Sequence, residues 1–168
     1  MADFIASLDT TVPVVRTIAQ IHALVERFGA HEWTVIYERG IPSGVRFAVV
    51  DPNVTEGQSV PLFVELRAPS DRIAAELKAP RGKRRWLTTA QREKAEQQAQ
   101  RVAWRQLHDF VRASLIAVQS GIMSLGEAFL ANVLIRDGDG ASRRVVEVMQ
   151  SQRLLQPVNR AALPPVPP

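Results

Sequence analysis

Cysteine is absent from this 168-residue chain, and its three histidines lie in three separate segments. The chain can therefore form no disulfide, zinc–thiolate site or iron–sulfur cluster, and its histidines do not indicate a local metal site. We expect neither a metal nor a cofactor. The hydrophobic fraction of 46% is typical of a globular protein, which argues against a chain that is disordered throughout.

Long apolar runs are also missing. No segment reaches the roughly 18 apolar residues that a membrane-spanning helix needs. Asp3 and Asp9 precede the first basic residue, Arg16, which is the reverse of the charge order in a secretory signal. We therefore expect a cytoplasmic protein that does not engage a membrane.

Catalytic motifs are lacking as well. The chain contains no phosphate-binding Walker loop, no G-x-G-x-x-G pattern and no serine in a nucleophile elbow. The segment Asp137-Gly138-Asp139-Gly140 begins like a calcium loop, but the later ligands of such a loop do not follow it. We expect no catalytic residues, and hence no enzyme.

The first half of the chain is predicted to form a helix and three strands. Apolar residues at helical spacing end at Gly29, and the helix begins either at a capping box of Thr17 and Gln20 or earlier, after Pro13. Strands are expected at residues 33–38, 45–50 and 60–66, with a turn at residues 40–44. Since the strands are consecutive and closely linked, we expect an antiparallel meander.

The second half is predicted to be helical. Ser70 is expected to cap a short helix, and a capping box of Thr88 and Gln91 begins a long helix that ends at Gly121. Shorter helices are expected to follow, with caps at Ser124 and Ser142. The long helix should cover the apolar face of the sheet in a single α+β domain of residues 1–156. Residues 157–168 contain five prolines and are expected to form a flexible tail.

The basic residues are concentrated in the middle of the chain. The net charge is −4 over residues 1–77, +7 over residues 78–120 and +1 over residues 121–168. Such an asymmetry is informative about partners rather than about fold. It indicates an anionic partner for the middle segment.

Half of the bases in that segment lie in one predicted loop. We call the loop the basic loop, and its bases are Lys78, Arg81, Lys83, Arg84 and Arg85. These side chains would attract phosphates, and the indole of Trp86 directly after them could stack on a base. The alternative is a solvated loop in which Trp86 is part of the core.

The long helix carries a second basic pattern. At about 100° per residue, five side chains fall within roughly 40° of one line. We call this set the predicted stripe, and it consists of Lys94, Arg101, Arg105, His108 and Arg112. The stripe extends for about 27 Å, and the apolar residues opposite it are Ala99, Ala103, Leu107, Phe110 and Val118. An ordinary exposed helix face mixes charges of both signs, so a stripe of one sign favours contact with phosphates.

Several short motifs are distributed along the chain, namely Phe28-Gly29-Ala30, Gly44-Val45-Arg46-Phe47, Gln100-Arg101-Val102-Ala103-Trp104-Arg105 and Glu127-Ala128-Phe129-Leu130. Together they resemble the motifs of a family of small uncharacterised proteins from bacteriophages and integrated mobile elements. The resemblance spans residues 10–140 and implies no particular activity. The order of a helix, three strands and a helix is also similar to that of double-stranded-RNA-binding domains. Single-strand-annealing proteins of phages likewise place helices behind an antiparallel sheet.

Taken together, these patterns predict a non-enzymatic protein that binds nucleic acid largely without sequence preference. DNA is favoured over RNA, and in the setting of a phage or mobile element a role in replication or recombination would be natural. The basic loop and the predicted stripe would neutralise phosphates. The alternative is a protein-interaction or assembly module, in which the long helix pairs in a homo-oligomer without binding nucleic acid.

Overall fold

The computed structural model describes residues 7–50, 61–79, 87–136 and 141–151. These residues form the helices α1 (Val14–Arg27), α2 (Ser70–Lys78), α3 (Thr89–Gln119), α4 (Leu125–Phe129) and α5 (Val145–Ser151). They form the strands β1 (Glu32–Glu38), β2 (Ile41–Val49), β3 (Leu62–Arg67), β4 (Leu134–Arg136) and β5 (Ser142–Arg144). The order confirms the predicted α+β fold. The single-domain boundary stays a prediction, and the predicted tail at residues 157–168 lies outside the described residues.

The ends of the helices follow the local signals in the sequence. Two helices end in the same way, because Gly29 after α1 and Gly121 after α3 adopt φ values of +96° and +73°. At each end the following amide donates back to a carbonyl of the last turn, from Ala30 to Val25 at 2.9 Å and from Ile122 to Ala117 at 3.0 Å. Both capping boxes after residue 80 are present, one at the start of α3 and one at the start of α4.

The sequence predicts two possible starts for α1, a capping box at Thr17 or an earlier start after Pro13. The helix begins directly after Pro13, which is the earlier of the two. Thr17 is buried inside the helix, and its hydroxyl donates to the carbonyl of Pro13 at 3.4 Å instead of capping the helix. Pro13 is the N-cap residue in an extended conformation, and its carbonyl accepts the first helical hydrogen bond, from the Thr17 amide at 3.1 Å.

The main sheet is antiparallel with the strand order β1-β2-β3, which confirms the predicted meander. The predicted turn at residues 40–44 is wrong, because Arg39 and Gly40 alone form the turn, with φ of +51° and +78°. Positive φ at both positions is typical of the two-residue hairpin turn that matches strand twist. Ser43 is the extra residue of a bulge in β2. At Gly44 a Cβ atom would lie 2.4 Å from the carbonyl oxygen of Leu66, so this glycine allows the strands to approach.

One hydrophobic core joins the sheet to the helices. Val45, Phe47 and Val49 all point to the buried face of β2, as their alternation predicts. They share a single core cluster with side chains of α1, α3 and α4. The long helix therefore packs against the apolar face of the sheet. Trp104 is fully buried there, and its indole N–H donates to the carbonyl of Pro42 at 3.3 Å.

Three details differ from the sequence-based expectations. Ser70 is the first residue of α2 rather than its cap, and no side chain caps that helix. Ser142 belongs to β5, whose pairing with β4 was not predicted, and Glu147 accepts the Arg144 amide at 3.1 Å before α5. Phe110 was placed on the buried face but is 43% exposed, because its ring lies at the rim of the core against Phe129.

Candidate nucleic-acid interface

The structure places most of the predicted stripe at the surface of α3. Lys94 and Arg112 are exposed, whereas Arg101 and Arg105 are half-buried. His108 is only 7% exposed, and its Nδ1 lies 2.9 Å from a carboxylate oxygen of Asp109. The imidazole is therefore not available at the surface, and only the four longer basic side chains of the stripe remain candidates for phosphate contact.

The helix α1 explains why this side of α3 is partly covered. At one end, the Gln98 side chain on α3 donates to the carbonyls of Leu8 and Thr10 at 2.7 and 3.0 Å. At the other end, Leu24 and Arg27 of α1 line one groove together with α3 residues from 112 to 119. The segment before α1 thus lies near the first half of α3, and the end of α1 lies near the end of α3. The two helices therefore run side by side in the same direction.

This arrangement brings two further arginines to the stripe. Arg27 and Arg112 line the same groove between the two helices. Arg16 precedes Arg27 by 11 residues, which corresponds to about 20° around the helix and about 16 Å along it, so both lie on one side of α1. Both are exposed. Arg101 and Arg112 have the same 11-residue separation on α3, so each helix carries an arginine pair of matching length.

We call the surface formed by both helices the basic face. Its members are Arg16, Arg27, Lys94, Arg101, Arg105 and Arg112. Only Arg105 forms an ion pair with another described residue, Asp109, whose carboxylate lies 3.4 Å away. The remaining five cations are not neutralised by an acidic partner among the described residues. Such a surface has the positive potential that attracts a polyanion.

The sequence contains a signal for the two arginines that α1 adds to the basic face, but they were not predicted as site residues. The 11-residue spacing of Arg16 and Arg27 puts them on one line of α1, just as it does for Arg101 and Arg112. What the sequence did not contain is the side-by-side placement of the two helices.

The structure separates Lys78 from the stripe. Lys78 lies at the end of α2, and its ammonium group is ion-paired with Glu96. Glu96 is about 160° around α3 from Lys94, so the pair lies on another side of the long helix. The other predicted residues of the basic loop, Arg81, Lys83, Arg84 and Arg85, lie outside the described residues together with Trp86.

A second charged cluster lies on the face of the sheet opposite to the core. The carboxylate of Glu65 accepts hydrogen bonds from Arg46 at 2.6 Å and from Arg67 at 2.8 Å, and Arg67 also pairs with Glu38. Burial alone would raise the pKa of Glu65, but the two guanidinium groups outweigh it and hold the pKa below its usual value of 4.5. The charges of this cluster are mutually neutralised, in contrast to those of the basic face.

Metal sites and membrane-spanning helices are two other features that the described residues could form. Nowhere within residues 7–50, 61–79, 87–136 and 141–151 do three or more histidine, aspartate or glutamate side chains come close enough to hold a metal ion. Within the same ranges, every helix is too short or too polar to cross a membrane.

Comparison of the chain with protein-family models, with curated proteins and with solved structures finds no match.

Proposed function

We propose that the protein binds nucleic acid through the basic face, without sequence preference and without catalysis. The observation that carries the proposal is the set of five basic side chains on two parallel helices for which no described residue is an acidic partner. Cations near a phosphate backbone release condensed counterions, which supplies most of the affinity in non-specific binding. The sequence contains no base-reading motif, so contacts that position the nucleic-acid backbone rather than contacts to base edges are expected.

The cellular setting is part of the same proposal. DNA is the favoured ligand, the location is the cytoplasm, and the resemblance to phage proteins favours a role in replication or recombination of a mobile element. The length of the stripe on α3, about 27 Å, is sufficient to follow several phosphates of one strand.

The proposal is tested by reversing the charge of two exposed arginines, Arg27 and Arg112, which line the groove between α1 and α3. We expect Arg27→Glu with Arg112→Glu to weaken binding of a fluorescent 30-nucleotide DNA by about tenfold or more at low salt, measured by anisotropy, because two phosphate contacts become repulsive. The matched control is Arg72→Glu with Arg92→Glu. These arginines are also exposed, but Arg72 is on α2 and Arg92 is about 160° around α3 from Arg112.

The control changes the net charge by the same amount, so it separates a local contact from a general charge effect. We expect its affinity to stay within about threefold of the wild type, and both variants to fold, because exposed substitutions usually change stability by less than about 0.5 kcal/mol. Equal loss in both variants would contradict the basic face as the binding surface. Absence of any binding by the wild-type protein would contradict the function itself.

The assembly module remains the second candidate, because apolar side chains are exposed on the same two helices. Val15 on α1 is 77% exposed, Ile116 on α3 is 54% exposed, and Ile122 after α3 is 74% exposed. Pairing through these residues would remove them from water. A concentration-dependent mass in solution, without nucleic-acid affinity, would favour this candidate over the first.

A further inference from the structure

An apolar groove interrupts the basic face at the C-terminal ends of α1 and α3. Its volume is about 550 Å³, within the range of small-molecule sites. Arg27 and Arg112 line it, and its apolar surface comes from Leu24, Phe28, Leu115 and Ile116. Leu115 is buried and Leu24 and Phe28 are half-buried, whereas Ile116 is 54% exposed.

The C-terminal end of α1 fixes the shape of one wall of the groove. Phe28 is the C-cap residue of α1, and its amide donates to the carbonyls of Leu24 and Val25 at 3.2 and 3.1 Å. The adjacent Gly29 closes the same helix end with its positive φ. The groove is therefore formed before any ligand arrives, which lowers the entropic cost of binding.

A phosphate-binding surface alone does not account for the exposed side chain of Ile116 in a groove that two arginines also line. A nucleotide of an unpaired strand combines a planar apolar base with an anionic phosphate. The guanidinium groups can contact phosphates or lie against the base, and the aliphatic side chains can cover the face of the base. In a duplex the base faces are stacked inside, so a duplex could use the arginines but not the apolar surface.

We propose that this groove receives an unpaired base, so that the preferred ligand of the basic face is a single strand. The inference rests on the proposed function and specifies its substrate class. Arg27 and Arg112 contact the phosphates on either side of the base, and Ile116 with Leu24 and Phe28 covers one face of it. Because any base has an apolar face, this contact adds affinity without sequence preference.

The test uses two fluorescent strands of equal length and charge. One is a 30-nucleotide thymidine strand, and the other is an abasic sugar–phosphate strand. We expect the wild-type protein to bind the thymidine strand about fivefold or more tightly than the abasic strand, because the groove removes one apolar face of a base from water. Ile116→Ser should reduce this preference to less than about twofold while affinity for the abasic strand stays unchanged.

Ile122→Ser is the matched control, because Ile122 is more exposed than Ile116 and does not line the groove. It should keep the wild-type preference. If the wild-type protein binds both strands equally, the inference is wrong although the proposed function stands. If the preference persists in Ile116→Ser, the bases are held elsewhere, for example by Trp86, and the assignment of the groove is wrong. If neither strand binds, the proposed function itself fails.

Discussion

At the scale of single residues, Glu65 is the charged side chain that the sequence pattern describes least well. It alternates with the core residues Val64 and Leu66 on β3, so it lies on the outer face of the sheet. Yet it is only 6% exposed. Arg46 and Arg67 lie on either side of its carboxylate and donate hydrogen bonds to it, which supplies the partners that a buried charge requires.

Removing the charge of Glu65 should lower stability. We expect Glu65→Gln to reduce the free energy of unfolding in urea by about 1–2 kcal/mol at pH 7, because charge-assisted hydrogen bonds to both arginines are weakened. Glu38→Gln is the control, since Glu38 also pairs with Arg67 but its side chain is 65% exposed. Its effect should be less than about 0.5 kcal/mol.

The difference between the wild type and Glu65→Gln should depend on pH. The pKa of Glu65 in the folded chain lies below the usual value of 4.5. Its stabilisation is therefore complete above the pKa of the unfolded chain and is lost as the pH falls through the folded pKa. Urea unfolding curves of the two proteins should differ at pH 7, and they should converge in steps of decreasing pH below 4.5. A difference that stays constant down to the lowest pH would contradict this role of the carboxylate.

At the scale of secondary-structure elements, capping residues determine where the long helix begins and ends. Thr88 and Gln91 bond each other's backbone amides before the first turn of α3. Gly121 closes the last turn with a φ that side chains rarely adopt. Gly126 lies inside α4 instead, with helical φ and only the Ser124 hydroxyl within 4.0 Å of where a Cβ would be.

Two glycine-to-alanine substitutions should therefore have opposite signs. We expect Gly121→Ala to destabilise the protein by about 1 kcal/mol, because alanine is strained at positive φ. Gly126→Ala should stabilise it by about 0.5–1 kcal/mol, because alanine loses less entropy than glycine in a helix. Thermal unfolding of both variants gives the sign directly. Destabilisation by Gly126→Ala would contradict the helical assignment of α4.

Elements of this kind were predictable because their signals are local. A capping box or a glycine cap acts within about five residues, and both ends of α3 and the start of α4 were correctly predicted. The turn between β1 and β2 was assigned to residues 40–44 because proline and glycine there resemble a turn. These residues instead belong to β2, which has a bulge at Ser43 and approaches β3 closely at Gly44. Both features depend on strand pairing.

The candidate site was predictable only in part, for the same reason. Helical periodicity identified the basic stripe of α3, but not the arginines of α1. Their contribution depends on contacts such as that between Gln98 and Leu8, which are 90 residues apart in the sequence. His108 is likewise buried although its angle on α3 places it beside the exposed Arg112, so its burial could not be predicted from the periodicity of α3 alone. Periodicity describes one helix, whereas a surface is formed by several elements.

At the scale of the whole molecule, two surfaces of the described residues differ in how their charges are paired. The outer face of the sheet carries acidic and basic side chains that pair with one another, such as Glu65 with Arg46 and Arg67. The basic face on α1 and α3 contains one paired cation and five without an acidic partner among the described residues. We therefore expect the basic face to contribute more to the attraction of a polyanion than the outer face of the sheet does.

The most direct test of this account is the salt dependence of single-strand binding. Each phosphate contact contributes about −0.7 to the slope of log K against log salt, so four to six contacts on the basic face predict a slope of about −3 to −4. Arg27→Glu with Arg112→Glu should flatten the slope by about 1.4, and Arg72→Glu with Arg92→Glu should leave it unchanged. The same slope in the wild type and in both variants would contradict the central role of the basic face.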